Sequence, residues 1–191
     1  MNTLYFITGN KGKVHEATEK FRPLGINIRQ KNLGYPEIQT DTLEDVAAYG
    51  VTHIQKQGID HGFILEDAGI FIDGLQGFPG VYSSYVYHTI GLQGILDLLA
   101  NTLKCTAVFR SVFAYAEPKG DPHFFIGECL GKILKEEKGS QGFGYDPIFI
   151  PDGSDRTFAQ MDTSEKNQFS HRGKSLEKLY NFLNEKKFMK N

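Results

Sequence analysis

Apolar residues recur along this chain in two distinct periods, which predict where its helices and strands lie. Between Thr42 and Gln55, apolar side chains return every three or four positions, as on one face of a helix. Thr42 and Asp45 have the spacing of a capping box, so this helix is expected to begin there. Further helices are predicted over residues 14–21, 92–99 and 175–183.

Strands are predicted where runs are apolar or rich in β-forming residues. Short strands are expected over residues 4–8, 63–65, 69–73 and 148–150. Longer runs over residues 105–116 and 123–134 flank a segment with proline and glycine, which is typical of a turn and predicts a long antiparallel hairpin. Because helices and strands alternate irregularly around it, an α/β fold with a mixed sheet is favoured over a doubly wound parallel sheet.

The composition is that of an ordinary globular protein. The chain has 191 residues, of which 40% are hydrophobic and 23% charged. This length can bury one sizeable core and is too short for two ordinary domains, so residues 1–191 are expected to form one domain, with two lobes at most. A formal net charge of -2 offers no general attraction to a polyanion, which argues against nucleic-acid binding.

Neither a signal sequence nor a membrane span is apparent. Residues 1–7 lack a basic region followed by a long apolar stretch, and no run approaches the roughly 20 apolar residues that a span requires. Cys105 and Cys129 match neither a metal-ligand pair nor a disulfide framework, so reduced, buried thiols are expected. We therefore expect a cytoplasmic protein without a membrane partner.

A first candidate for chemistry lies where the first strand runs into the first helix. The sequence there is Thr8-Gly9-Asn10-Lys11-Gly12-Lys13, and such a turn leaves backbone N–H groups that can bind phosphate. It is not a Walker A loop, because Val14 stands where a metal-binding Ser or Thr is required. On local grounds alone, a turn capped by Asn10 is the favoured interpretation.

Acidic residues form a second candidate. Glu66 and Asp67 are adjacent where an apolar strand is expected to end, a position from which a carboxylate can hold a divalent ion or activate water. Solvated turn acids are the structural alternative. Glu37, in a proline-containing loop, is equally ambiguous.

Two later segments complete the candidates. In Gly142-Phe143-Gly144-Tyr145-Asp146-Pro147, the glycines permit close backbone approach and the aromatic rings can stack on a planar base. The alternative is a packed turn. Glu165-Lys166-Asn167 and Ser170-His171-Arg172 form a polar run with several hydrogen-bond donors just before the last predicted helix, although a single histidine is more often structural than functional.

Taken in order, these segments resemble the inosine triphosphate pyrophosphatase family, and its archaeal members in particular. Six separated motifs in one order are far more specific than any one of them. The matching motifs are Thr8-Gly9-Asn10-x-x-Lys13, Glu66-Asp67-x-Gly69, Gly77-Phe78-Pro79-Gly80, Phe143-Gly144-Tyr145-Asp146-Pro147, Glu165-Lys166-Asn167 and Ser170-His171-Arg172.

The resemblance implies a fold, an activity and an assembly. The fold is α/β, with an elongated mixed central sheet, helices in two lobes and a substrate cleft between the lobes. The activity is hydrolysis of ITP, dITP and XTP to the monophosphate and pyrophosphate, by attack of water on the α-phosphorus. The assembly is a homodimer, for which the aromatic segment containing Phe78, Val81, Tyr82, Tyr85 and Tyr87 suits an interface unless these rings fill the core.

The resemblance also implies roles for individual residues. Asp67 is the proton acceptor, and Glu37 and Asp67 hold one Mg²⁺ per subunit, which Mn²⁺ could replace. The residues implied to contact phosphate are Thr8, Gly9, Asn10, Lys11, Gly12 and Lys13, with Ala68 beside the catalytic acid. The residues implied to contact the base and sugar are Phe143, Gly144, Tyr145, Asp146, Lys166, His171 and Arg172.

Two positions depart from the family pattern, and two other functions stay open. Ala68 replaces the usual Ser or Thr and removes a hydroxyl, whereas Tyr145 replaces the Trp of many members and keeps a ring. One alternative is a Maf-like pyrophosphatase for pyrimidine or methylated nucleotides, whose Ser-rich, Arg-containing opening loop this chain lacks. The other is a nucleotide-binding sensor without turnover, against which the retained Glu37 and Asp67 argue.

Overall fold

The computed structural model describes residues 3–36 and 38–188, and side chains as far as residue 186. Its helices are α1 (Lys11–Phe21), α2 (Leu43–Lys56), α3 (Ser83–Thr89), α4 (Gly91–Leu99), α5 (Thr163–Phe169) and α6 (His171–Phe188). Its strands are β1 (Thr3–Ile7), β2 (Asn27–Lys31), β3 (Phe63–Ile72), β4 (Pro79–Gly80), β5 (Thr106–Ala116), β6 (His123–Ile133) and β7 (Phe149–Pro151).

Within the described part of the chain, the strands form one seven-stranded mixed sheet. Their order is β2-β1-β3-β5-β6-β7, with β4 paired to β3. Strand β1 is parallel to β2 and β3, whereas β4 and β7 are antiparallel to their neighbours. Ile133 N donates to Cys105 O where the end of β6 meets the beginning of β5, as an antiparallel hairpin requires. The predicted α/β fold with a mixed sheet and a long hairpin is confirmed.

Helix α2 confirms the prediction from its apolar period and cap. Thr42 Oγ1 accepts from the backbone N–H of Asp45 at 3.2 Å, and the Asp45 carboxylate accepts from the hydroxyls of Thr42 and Thr40. Those two hydrogen bonds lower the pKa of Asp45, which is fully exposed. Strands β2 and β4 and helix α3 have no counterpart among the predicted elements.

Strand β3 is continuous, so the predicted break at Glu66 and Asp67 is wrong. The strand continues because the Glu66 carboxylate is paired inside the protein and needs no exposure to solvent. Beyond it, Gly69 permits close approach of β4, since a Cβ there would lie 2.2 Å from the Gly80 carbonyl oxygen.

The polar run before the last predicted helix is itself helical, where no helix was predicted. Helix α5 is capped by Asp162, whose carboxylate accepts from the Glu165 N–H at 2.8 Å. Helix α6 begins at His171 and not at Ser175, because the Ser170 hydroxyl accepts from the Gly173 N–H at 2.9 Å as an N-cap. His171 and Arg172 therefore lie in the first turn of α6.

The chain divides into two compact units, each with its own apolar core, where the sequence predicted one core. Unit 1 comprises the described residues within Met1–Asp67, Ser111–Ile126 and Lys174–Asn191. Its core includes Phe6, Phe21, Ile64, Phe113 and Leu179. Unit 2 comprises Ala68–Arg110 and Gly127–Gly173, and its core includes Ile72, Ile95, Phe109, Phe149 and Phe158. That residues 1–191 serve as one catalytic domain stays a prediction.

Cys105 and Cys129 do not form a disulfide with each other, and the burial expected of both is found only for Cys129. Cys129 is buried, whereas Cys105 is only half-buried. Within the described residues, no helix has the length and apolar character needed to cross a membrane.

Candidate active site

The turn between β1 and α1 has the capped geometry expected from Asn10. Asn10 Oδ1 accepts from the N–H groups of Gly12 at 2.9 Å and Lys13 at 3.2 Å, and the Asn10 N–H donates to Thr8 Oγ1. The cap serves two of the four N–H groups that the first turn of a helix leaves without intrahelical partners. Gly9 and Lys11 are exposed, and Lys13 projects from the first turn of α1.

Lys13 forms an ion pair with Glu66, a residue of β3. Its Nζ lies 2.9 Å from Glu66 Oε2 and donates to the Glu66 carbonyl oxygen at 3.2 Å. The Glu66 side chain has no exposed surface, whereas 17% of the Lys13 side chain is exposed. The ammonium is therefore fixed by a buried carboxylate while it keeps access to solvent.

Asp67 has a different environment from Glu66, although the two are adjacent. Successive side chains of a strand point to opposite faces of the sheet, so the two carboxylates diverge. Asp67 and Ala68 are half-buried, in contrast to the buried Glu66. Asp67 is thus the acid of this pair that a bound molecule or water can reach.

The predicted metal ligands are only partly described. Glu37 lies outside the described residues. Among residues 3–36 and 38–186, no group of three or more His, Cys, Asp or Glu side chains is arranged to hold a metal ion.

In unit 2, Asp146 closes the loop that contains the predicted base-binding aromatics. Its Oδ2 accepts from the Phe143 N–H at 2.8 Å and from Lys166 Nζ at 2.7 Å. A Cβ at Gly142 would lie 2.1 Å from the same oxygen, and Gly142 and Gly144 both have positive φ angles. Asp146 and Lys166 are both buried. The carboxylate thus fixes both the loop and the lysine.

Phe143 is the accessible ring of this loop and lies among cations. The residue is 37% exposed. Lys166 Nζ is 4.8 Å, and the Arg172 guanidinium carbon 5.2 Å, from the centroid of its ring. Arg172 is 3% exposed and lies in the first turn of α6, where the helix dipole disfavours a cation.

Tyr145 is buried, which differs from its expected role as a stacking surface. It is 4% exposed, its hydroxyl donates to the Ser83 carbonyl at 2.9 Å, and its ring packs against Tyr87. Burial, with a smaller effect of Tyr87, raises the pKa of Tyr145 above its usual range. Its ring belongs to the core of unit 2, and Phe143 is the better candidate for stacking on a base.

His171 is held by an aromatic neighbour that the sequence did not single out. Its ring lies parallel to that of Phe109, with centroids 4.5 Å apart and an interplanar angle of 6°. His171 is 4% exposed. Ser111, which donates to Glu66, and Ser175, which lies within hydrogen-bond distance of Ser111, were missed as well. No local sequence motif marks Phe109, Ser111 or Ser175 as functional. In contrast, the helix caps Ser170 and Asp162 could have been predicted from the sequence.

Comparison with known proteins relates most of the chain to one family. Residues 4–182 match the model of the Ham1 family. The chain is 54% identical over 182 residues to a dITP/XTP pyrophosphatase of Thermococcus kodakarensis, covering 95% of this chain and 97% of the relative. It is 49% identical over 174 residues to a dITP/XTP pyrophosphatase of Methanopyrus kandleri, covering 91% and 92%.

Solved structures of similar proteins have the same fold. A HAM1 protein from Coxiella burnetii matches with a TM-score of 0.84 and 32% sequence identity, covering 97% of this chain and 100% of the other. The Ham1 protein of Staphylococcus aureus also gives a TM-score of 0.84, with 26% identity and the same coverage.

The buried Lys166–Asp146 pair yields a stability prediction. Lys166→Met removes the cation and leaves a buried carboxylate, so it should lower the free energy of unfolding by about 3 kcal/mol. Lys138→Met is the matched control, because Lys138 pairs with Glu136 at the surface. That pair should contribute about 1 kcal/mol or less. Urea unfolding measures both, and equal losses would contradict the role given to Asp146.

Proposed function

The chain belongs to the Ham1 family, and from this premise we propose that it hydrolyses non-standard purine nucleoside triphosphates. The substrates are ITP, dITP and XTP, and the products are the nucleoside monophosphate and pyrophosphate. The observation that carries the proposal is the 54% identity with a dITP/XTP pyrophosphatase over 95% of the chain. The protein is accordingly a hydrolase of a phosphoric anhydride bond, and the Maf-like alternative is not favoured.

The triphosphate contacts residues of unit 1 in this proposal. Lys13 offers an ammonium that is fixed by Glu66 and still reaches solvent. Thr8, Gly9, Asn10, Lys11 and Gly12 form the turn that leads into α1, where backbone N–H groups and the helix dipole favour an anion. Lys13 stabilises the negative charge that gathers on the departing pyrophosphate.

Asp67 accepts the proton of the attacking water. Its carboxylate is the more accessible of the two adjacent acids, and Glu66 is already engaged with Lys13 and Ser111. An accessible carboxylate suits a general base better than a buried carboxylate held in an ion pair does. The activated water attacks the α-phosphorus. Ala68, the next residue of β3, has only a methyl group as its side chain.

A single magnesium ion per subunit fits this donor set. Mg²⁺ is usually held by one or two carboxylates together with substrate phosphates and water, and the half-buried Asp67 carboxylate is a ligand of this kind. Asp67 and Glu37 would hold it. When bound, the ion offsets the negative charge of the phosphates, and Mn²⁺ could replace it.

The base contacts residues of unit 2. Phe143 offers a partly exposed ring for stacking, and Lys166 and Arg172 lie beside that ring as hydrogen-bond donors. His171, next to Arg172 in the first turn of α6, is the third donor of the proposal. Hypoxanthine and xanthine carry an acceptor at O6, whereas adenine carries a donating amino group. Donors directed at O6 therefore select inosine and xanthosine over adenosine. Gly144, Tyr145 and Asp146 maintain the loop that presents Phe143.

A homodimer completes the proposal. Phe78, Tyr82 and Tyr85 are 40%, 42% and 69% exposed, and Tyr87 and Ile90 are exposed nearby in sequence. Of the predicted aromatic segment, only Val81 is half-buried. The rings of Phe78, Tyr82 and Tyr85 do not fill a core, which supports a role in covering another protein surface.

Substrate preference tests the proposed function. We expect ITP or XTP to exceed ATP and GTP in kcat/KM by at least about a hundredfold, because a polar mismatch in a buried site discriminates strongly. Adenine is mismatched at the O6 position, and guanine, which carries O6, is mismatched by its 2-amino group. Steady-state pyrophosphate release with Mg²⁺ measures this preference. Arg172→Ala should reduce both the efficiency and the preference for ITP. Equal hydrolysis of ATP and ITP would refute the preference, and nucleotide binding without pyrophosphate release would indicate a sensor.

Asp67→Asn should nearly abolish turnover while nucleotide binding stays measurable. The amide neither accepts the proton nor provides a charged metal ligand, so kcat should fall by about 10⁴-fold or more. The matched comparison is Asp73→Asn, an exposed acid elsewhere in the sequence, which should keep full activity. If Asp67→Asn retained more than about a tenth of the activity, a different base would be required.

Dimerisation predicts a light-scattering mass of twice the 21.5 kDa chain at micromolar concentration. Tyr85→Asp should give monomers, since a charge in an apolar interface is left without a partner. Tyr49→Asp is the control, because Tyr49 in α2 is 40% exposed but lies outside the aromatic segment. A monomeric wild-type protein would exclude the proposed dimer.

A further inference from the structure

We propose that the buried side chains of Ser175, Ser111 and Glu66 form a hydrogen-bonded chain that holds the Lys13 ammonium in position for the triphosphate. The three are then positioning residues, acting through Lys13. The proposal rests on the proposed function, because it assumes that Lys13 contacts phosphate.

The contacts run without interruption through four elements of unit 1. Ser175 in α6 lies 2.9 Å from Ser111 in β5, measured between the two Oγ atoms. Ser111 Oγ donates to Glu66 Oε1 in β3 at 2.8 Å. Glu66 Oε2 lies 2.9 Å from Lys13 Nζ in α1. Ser111 and Ser175 are both 0% exposed.

The hydroxyl hydrogens of this chain have a defined direction. An ionised carboxylate only accepts hydrogen bonds, so the single hydroxyl hydrogen of Ser111 is directed at Glu66. The hydrogen between the two serines must then come from Ser175. Both serine hydroxyl hydrogens thus point toward the Glu66 carboxylate. Its other oxygen, Oε2, faces the Lys13 ammonium.

A lysine needs such a support to act as a precise charge. Its ammonium is carried on a flexible four-carbon stem. If the stem is already ordered before the substrate arrives, phosphate binding does not incur the conformational-entropy cost of ordering it. The ammonium has three N–H donors, so contacts with the Glu66 carbonyl and carboxylate leave capacity for a phosphate oxygen.

A double-mutant cycle separates positioning from a general structural effect. Ser111→Ala should lower kcat/KM for ITP about tenfold, since it removes a hydrogen bond to a charged group. In a Lys13→Met background, the same substitution should change kcat/KM by less than about twofold, because the residue on which it acts is missing. Ser111→Thr, which keeps the hydroxyl, should restore most of the activity. The same cycle is measured on the Kd for inorganic tripolyphosphate by calorimetry.

Controls keep the outcomes distinct. Thr157→Val removes a buried hydroxyl that donates to the Lys138 carbonyl at 2.7 Å in unit 2, and should lower the melting temperature without changing kcat/KM. Ser175→Ala tests the far end of the chain if Ser111→Ala does not fold. Equal losses for the serine substitution with and without Lys13, or no loss in the wild-type background, would overturn the proposal. A wild-type protein that binds tripolyphosphate but does not hydrolyse ITP would instead refute the proposed function, and the tripolyphosphate cycle would still test the positioning.

Discussion

Glu66 belongs to strand β3, and its side chain has no exposed surface. The Lys13 ammonium lies 2.9 Å from its carboxylate. A buried carboxylate carries a desolvation penalty of several kcal/mol, which only a well-placed cation and additional hydrogen bonds can offset. This requirement joins the first turn of α1 to the middle of β3. It also draws Ser111 of β5 into the same network. The arrangement of unit 1 around its candidate phosphate site follows from keeping this charge paired.

Unit 2 contains a second pair of the same kind. Asp146 and Lys166 are both buried, 2.7 Å apart, and the carboxylate also accepts from the Phe143 N–H. In each unit, a buried acid thus fixes one lysine beside the residues implied to contact substrate. Buried ion pairs seldom add net stability compared with apolar packing, but they can define the position of a charge. Both pairs are better explained by that positioning than by stability alone.

The sequence predicted those features whose causes are local. Helix α2 was found because its apolar period and its Thr42 cap lie within a few residues. The prediction divided strand β3 into two strands, because Lys13, the partner that allows Glu66 to be buried, is 53 residues away in the sequence. Likewise, stacking of His171 on Phe109 depends on two distant segments. The roles of Asp67 and the base-pocket residues came from family resemblance, since spacing alone left each of them ambiguous.

In the proposed reaction, water attacks the α-phosphorus of a non-standard purine triphosphate. The position of attack is measured by hydrolysing ITP in water enriched with the heavy oxygen isotope and analysing the products by mass spectrometry. We expect the heavy atom in inosine monophosphate and none in the pyrophosphate. Label in the pyrophosphate, or release of orthophosphate in its place, would contradict attack at the α-phosphorus.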